Sequence, residues 1–250
     1  DFFTYLERFD PNRNTFRFHT WNEAHDNQPT GADAAIFCDY EKDGDEEMTR
    51  QVVGLLSGMH PQYLQDPDVI FVFYSDVDES GHAHGFHFSV PEYLAEIADT
   101  DAKIGRVLEA MRERPHFMDE DWLVVLTTDH GGSADKGHSG GTPERRTIPF
   151  LLYGPSVVRG TPFPPPKNVD VTKTVLRHMG VPINPGWQLD GHEVGLEADW
   201  PKNAVIDRFP RELVEDSLNL IKNGGGEYDR AFSSTDFDQA ISGWEDGEPG

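Results

Sequence analysis

The chain has a single cysteine, Cys38, in 250 residues, so it can form neither an intrachain disulfide framework nor a cysteine-based zinc knuckle. Basic residues are scarce: 21 Lys and Arg against 45 Asp and Glu leave a formal charge of −24 at pH 7. A field of that sign repels nucleic-acid backbone and anionic membrane, so neither is an expected partner. Apolar runs are short, none approaching the ~18 residues of a membrane-spanning helix, and no signal-peptide pattern is visible. The opening Asp-Phe-Phe, with no initiating Met, points to an upstream segment. The acidic balance slightly favours a secreted or periplasmic setting. No internal repeat of solenoid type is present. With thiolates excluded, any metal chemistry must rest on imidazole and carboxylate.

What is present is organised around two similar stretches. Trp122 to Gly132 reads WLVVLTTDHGG, an apolar run that breaks into Asp129, His130 and two glycines. Val69 to Gly85 reads VIFVFYSDVDESGHAHG, a second apolar run that breaks into Asp76, Asp78, His82 and His84. Each pattern predicts a strand buried on both faces and opening into a loop. A third imidazole, His138, follows between Gly137 and Ser139. Ligands of open α/β sheets bind at the carboxyl ends of strands, so Asp78, His82, Asp129, His130 and His138 form a candidate metal site. A helix predicted between the two strands makes them a strand–helix–strand unit. Such crossovers are parallel and right-handed, which brings both loops to one edge.

The remaining pattern is coarser. Residues 1–44 read as loops with short strands at Thr15–His19 and Ala34–Cys38, with Cys38 a small buried side chain. Met48, Val52, Leu55, Leu56 and Met59 make a helical stripe stopped by Pro61. Ser89 and Glu92 read as a capping box for a helix from Pro91 to about Arg114, with Leu94, Ile97, Ile104, Val107, Leu108 and Met111 facing inward. Asp101 interrupts that face, as a buried paired carboxylate would. Ile148–Tyr153 is a further strand, and Asp170 caps a short helix to Met179. Residues 1–200 are expected to form one domain and 201–250 an acidic appendage or linker.

Asp78-x-x-x-His82, Thr128-Asp129-His130-Gly131 and Gly137-His138 resemble the alkaline phosphatase superfamily, most of all its type I phosphodiesterase/nucleotide pyrophosphatase branch. Helix 91–114, GGTPERRTIPFLLYGP and VDVTKTVLRHMGVP extend the resemblance over about residues 45–195. It implies an α/β fold with a largely parallel central sheet, helices on both faces, and the first strand missing from this chain. It also implies hydrolysis of a small phosphomonoester or phosphodiester at two divalent ions, zinc in most members. Asp78, His82 and His138 would hold one ion, and Asp129 and His130 the other. The family attacks phosphorus with a Thr or Ser, expected here upstream of Asp1; Thr4, Thr15, Thr20 and Thr30 lack its setting, Thr30 coming nearest.

Several residues carry two readings. Arg145 either grips a phosphate oxygen or makes a salt bridge that fixes its loop. Asp76 either orients a ligand histidine or simply turns the chain. His84 and His87 either meet a leaving group or sit in solvent, and His192 reads as structural. Sulfatases and phosphomutases of the superfamily are the alternatives within enzymes, and a non-catalytic metal-binding fragment is the alternative outside them.

Overall fold

The computed structural model describes residues 2–21, 31–39 and 42–197. Thr30 and the expected acidic appendage at 201–250 lie outside the described residues.

The centre of the molecule is β1 (Thr15–His19), buried along its whole length. β2 (Ala34–Phe37) pairs with it in parallel from Phe16↔Ala34, and β3 (Val69–Phe73) pairs in parallel on its other side from Thr15↔Val69 to His19↔Phe73. The sheet order is therefore β2-β1-β3, which explains why β1 is closed on both faces while β3 is only half-buried. Helices flank this parallel sheet, so the fold is α/β as the motifs imply. α2 (Gly44–Leu56) buries Met48, Val52, Leu55 and Leu56, the stripe predicted from spacing. Its end differs from expectation. Gly58, at φ +67°, adopts the left-handed conformation that terminates helices, with its N–H donating to Leu55 O (3.0 Å) and Met59 N–H to Gly54 O (2.8 Å). Met59 is left exposed beyond the helix, and Pro61 stops nothing.

α3 (Asp76–His84) follows β3 directly, and α4 (Pro91–Arg112) packs on both α2 and α3. Pro91 begins α4 as expected, but the capping box does not form. Ser89 instead directs its hydroxyl at His87 Nδ1 (2.7 Å), and the cap position falls to Val90. Leu94 and Ile97 are exposed, so the apolar face of α4 is closed only along its second half, at Leu108 and Met111.

β4 (Val124–Thr127) and β5 (Phe150–Tyr153) form an antiparallel pair, Val124↔Tyr153 to Thr127↔Phe150, separate from the parallel sheet. Parallel handedness governs strands of one sheet. Among the described residues β3 and β4 share no ladder, so the predicted strand–helix–strand unit is not closed by hydrogen bonds. Two-sided burial of β3 and β4 is likewise not seen. Between β4 and β5 lies one short turn of helix, α5 (Pro143–Arg146).

A second core joins the ends of the chain's described part. α1 (Phe2–Phe9) packs Leu6 on Leu176 and Val181 of the segment formed by α6 (Asp170–His178) and its exit, with Tyr5 stacked near Trp187. α1 falls where only loops were expected; two turns of helix are too short for a periodicity to stand out. Asp170 is buried but ties loops together: its carboxylate accepts from Lys167 N–H and His192 N–H, both at 2.7 Å. No helix among the described residues is long and apolar enough to cross a membrane.

Candidate metal centre

The acid-rich stretch after β3 is a helix rather than the loop its sequence suggested. Asp76, Asp78 and Glu79 occupy the first turn of α3 and His82 and His84 the last, the charge order that suits a helix dipole. Gly85, at φ +115°, closes it with its N–H on Gly81 O (2.8 Å). Helical geometry then does what a loop would not: residues four apart share a face. His82 Nε2 lies 3.4 Å from Asp78 Oδ2.

The third imidazole comes from the long connection after β4, which is folded on itself. Asp135 accepts from Ser133 Oγ (2.6 Å) and from Gly137 N–H (3.2 Å). Arg145 then locks the loop from outside. Its Nη2 meets both Asp135 oxygens (2.8 and 2.6 Å), its Nε donates to Ser133 Oγ (2.7 Å), and its Nη1 donates to Ser139 O. The bonds from Ser133 and Arg145 hold the Asp135 carboxyl down, at about 2. Arg145 has the loop-fixing geometry of its two readings, and the Ser139 carbonyl it bonds is next to His138 in the chain.

Loop and helix meet through four contacts. Lys136 Nζ donates to Ala83 O (2.6 Å), His82 Nδ1 to Lys136 O (3.0 Å), and Phe86 N–H to Ser133 O (3.3 Å). The fourth is the Phe86 ring, which fills the space above two glycines. A Cβ on Gly81 of α3 would stand 2.2 Å from its Cε1, and a Cβ on Gly132 of the loop 2.2 Å from its Cγ. Both positions exclude a side chain because the ring joins the elements there.

The result is a cluster in which one ligand atom each of Asp78, His82 and His138 lies within 4.8 Å of the others. The His138 ring stacks on that of His130 at 3.8 Å and 13°, and stands edge-on to His82 at 4.9 Å. His130 Nε2 is 3.9 Å from Asp78 Oδ1 and 3.8 Å from Asp129 Oδ2. Asp78 thus stands between two histidines, one oxygen toward each. Asp78, His82 and His138 come together with His130 beside them, although the strands that precede them belong to different sheets, while the Asp129 carboxylate meets its neighbour His130.

The donor set fits a divalent cation by its own chemistry. A carbonyl can only accept, so Nδ1 of His82, bonded to Lys136 O, carries a proton, and in the neutral ring this leaves the Nε2 lone pair on the side of Asp78. His130 is fixed the same way, Nδ1 donating to Gly131 O at 3.0 Å. Asp78 Oδ1 is buried with no hydrogen-bond donor among the described residues. An acceptor in that condition costs stability, and a cation removes the cost. Asp129 is more open, with 61% of its side chain exposed, and its Oδ1 accepts from His130 N–H (3.1 Å).

Of the other candidates, Asp76 meets Lys103 Nζ (3.4 Å) and so helps hold the first turn of α3. His84 is exposed and His87 is engaged by Ser89. Thr15 donates to Glu7 Oε1 (2.6 Å), while Thr20 is buried against Ser75 Oγ (2.7 Å) and Phe73 O (3.2 Å), so neither hydroxyl is offered to a substrate. Three contributors escaped the sequence: Phe86, Asn168 and Asp45. Asn168 donates to Asp129 O (2.9 Å) and accepts from Thr127 Oγ1 (3.1 Å), bracing the turn that presents Asp129 and His130. No local pattern marks it, because its partners lie about forty residues away in the chain.

The chain is similar in sequence to several known proteins. The chain is 30% identical over 147 residues to GPI ethanolamine phosphate transferase 1 of Emericella nidulans, covering 59% of this chain and 13% of that protein. It is 28% identical over 137 residues to the catalytic subunit of GPI ethanolamine phosphate transferase 3 of Homo sapiens, covering 52% of this chain and 12% of that one. A phosphopentomutase of Methylobacterium radiotolerans is 32% identical over 118 residues, 47% of this chain and 26% of the mutase. The chain therefore spans only a minor part of the length of these relatives. The family model described as type I phosphodiesterase / nucleotide pyrophosphatase matches residues 8–138, a little over half of the chain, from before β1 to the last imidazole of the cluster. The chain belongs to that family, and with it to the alkaline phosphatase superfamily of phosphoryl-transfer enzymes.

Proposed function

We propose that this chain carries the metal-binding half of a phosphoesterase, in which Asp78, His82 and His138 hold one divalent ion, zinc by preference, and Asp129 and His130 contribute to a second. The observation that carries the reading is the Asp78 carboxylate, one oxygen facing His82 and the other buried without a donor near His130. When bound there, a divalent ion supplies Lewis-acid stabilisation of the charge that develops on a phosphoryl group. The chain's own residues set the stage for it. Lys136 O and Gly131 O fix the tautomers of His82 and His130, Arg145 holds the loop of His138, and Phe86 keeps loop and helix together. The open flank at Asp129 admits a small phosphoester. The attacking hydroxyl is assigned to neither Thr15 nor Thr20, whose side chains are engaged within the fold.

Water is the acceptor in this reading. Transfer to an alcohol is the second one, favoured by the names of the relatives, which are transferases and a mutase. A test independent of the nucleophile is calorimetric binding of inorganic phosphate. The zinc-loaded chain is expected to bind phosphate, and the zinc-free chain and the zinc-treated His82→Ala variant at least about 100-fold more weakly. Phosphate binding that ignores zinc, or a preference for sulfate over phosphate, would defeat the reading. Adding ethanolamine to a turnover assay on bis(p-nitrophenyl) phosphate separates the acceptors: a phosphorylated amine-alcohol product means transfer, and nitrophenol release without it means hydrolysis.

A further inference from the structure

The helix that delivers Asp78 and His82 does not cap itself. Ser75 stands at its N-cap, yet makes no capping bond; its hydroxyl is turned to Thr20 Oγ1 (2.7 Å). The N–H groups at this end are instead received by a side chain from another helix. Asp45, the second residue of α2, is fully buried, and its two oxygens divide the work: Oδ1 accepts from Ser75 N–H (3.1 Å) and Oδ2 from Asp76 N–H (3.0 Å). A carboxylate is the right group for this place, since it offers acceptors on both oxygens and a negative charge to a helix N-terminus. The same turn is also gripped from α4. Asp76 bonds to Lys103 of α4, itself buried and bonded to Asp99. One residue separates the capped Asp76 from Asp78, and one helical turn then separates Asp78 from His82.

We infer that Asp45 is a positioning residue for the metal centre: by capping α3 from α2 it sets where that helix begins, and hence where the Asp78 and His82 ligand atoms stand relative to His138. The inference rests on the proposed metal-binding role of those three residues. Asparagine at position 45 keeps the size and one acceptor but turns an amide N–H₂ toward a backbone N–H. One bond is lost, one repulsion gained, and the helix start is free to shift. Burial pushes the Asp45 carboxyl up, to about 6, the two backbone donors opposing that rise. The carboxylate form is therefore secured by working at pH 8.

The experiment is cobalt(II) titration of the full chain at pH 8, followed by the visible absorption of the bound ion. Asp45→Asn is expected to weaken cobalt binding about 10–100-fold, the usual effect of removing a group that orients a ligand, and to alter the absorption band. Met48→Ala, equally buried in α2 but without a bond to α3, is the control for general destabilisation and is expected to bind within about twofold of the unaltered chain. If Asp45→Asn does not fold, amide exchange in the unaltered chain gives the answer. By reciprocity, cobalt should slow exchange at Ser75 and Asp76 by the same 10–100-fold. Equal binding in Asp45→Asn, equal weakening in Met48→Ala, or exchange at those amides unmoved by cobalt would each overturn the inference. No cobalt binding by the unaltered chain would overturn the metal reading beneath it, an outcome visible before any variant is made.

Discussion

Asp78→Asn is expected to cost the chain at least about 100-fold in zinc affinity, close to 2.8 kcal/mol, while leaving the metal-free protein as stable as before or more so. The two effects have one cause. Asp78 presents an oxygen to His82 and keeps another buried without a donor. In the absence of a cation that arrangement is unfavourable, since an unsatisfied buried acceptor costs about 1–3 kcal/mol and a charged one more. Asparagine removes the charge, keeps the shape, and deletes the feature that makes the position hold a divalent ion. Binding sites commonly hold such a debt against stability. Zinc titration and urea unfolding on the same samples check both signs. Loss of metal-free stability in Asp78→Asn would mean the carboxylate is structural, and that its proximity to the imidazoles has another explanation.

Gly81→Ala is expected to destabilise, against the usual rule. Inside a helix, alanine in place of glycine gains about 1 kcal/mol. Here the new Cβ would lie 2.2, 2.3 and 2.5 Å from Cε1, Cδ1 and Cζ of Phe86. Contacts that short cannot be kept, and the ring cannot retreat freely because it also rests on Gly132. Overpacking of this kind costs about 1–3 kcal/mol, so after the helical gain the expected net loss is up to about 2 kcal/mol. A weakened joint between α3 and the His138 loop should reduce metal affinity in parallel. The check is a double-mutant cycle with Phe86→Ala, which removes Cδ1, Cε1 and Cζ together. In that background Gly81→Ala should recover the ordinary helical gain. Destabilisation of the same size in both backgrounds would place its cause elsewhere.

How much of this could be read from the sequence divides along physical lines. Strand positions and the α2 stripe were legible because apolar periodicity is a local signal: Thr15–His19, Ala34–Phe37 and Val69–Phe73 stand within a residue of expectation. The candidate ligands were legible as residue types at strand ends. The helix under Asp78 and His82 was not, since an acidic stretch with Ser80 and Gly81 reads as a loop, and its acids act as first-turn residues only once Asp45 supplies the missing cap. α4 began at Pro91 as read, but without its capping box, because His87 competes for the Ser89 hydroxyl. Sheet membership of β4 was also beyond reach. A crossover rule fixes handedness once two strands share a sheet, and says nothing about whether they do. What brings the two halves of the site together is Phe86, Lys136 and Arg145, whose partners are far away in sequence or chosen by shape.

The central claim is that Asp78, His82 and His138 hold a divalent ion. X-ray absorption at the zinc edge, on the chain loaded with one equivalent of zinc, tests it most directly. The predicted result is a shell of nitrogen and oxygen at about 2.0–2.2 Å, with the outer scattering of two imidazoles, one of which disappears in His82→Ala and likewise in His138→Ala. A first equivalent of zinc with no imidazole in its shell, or with a shell unchanged by both substitutions, would contradict the account.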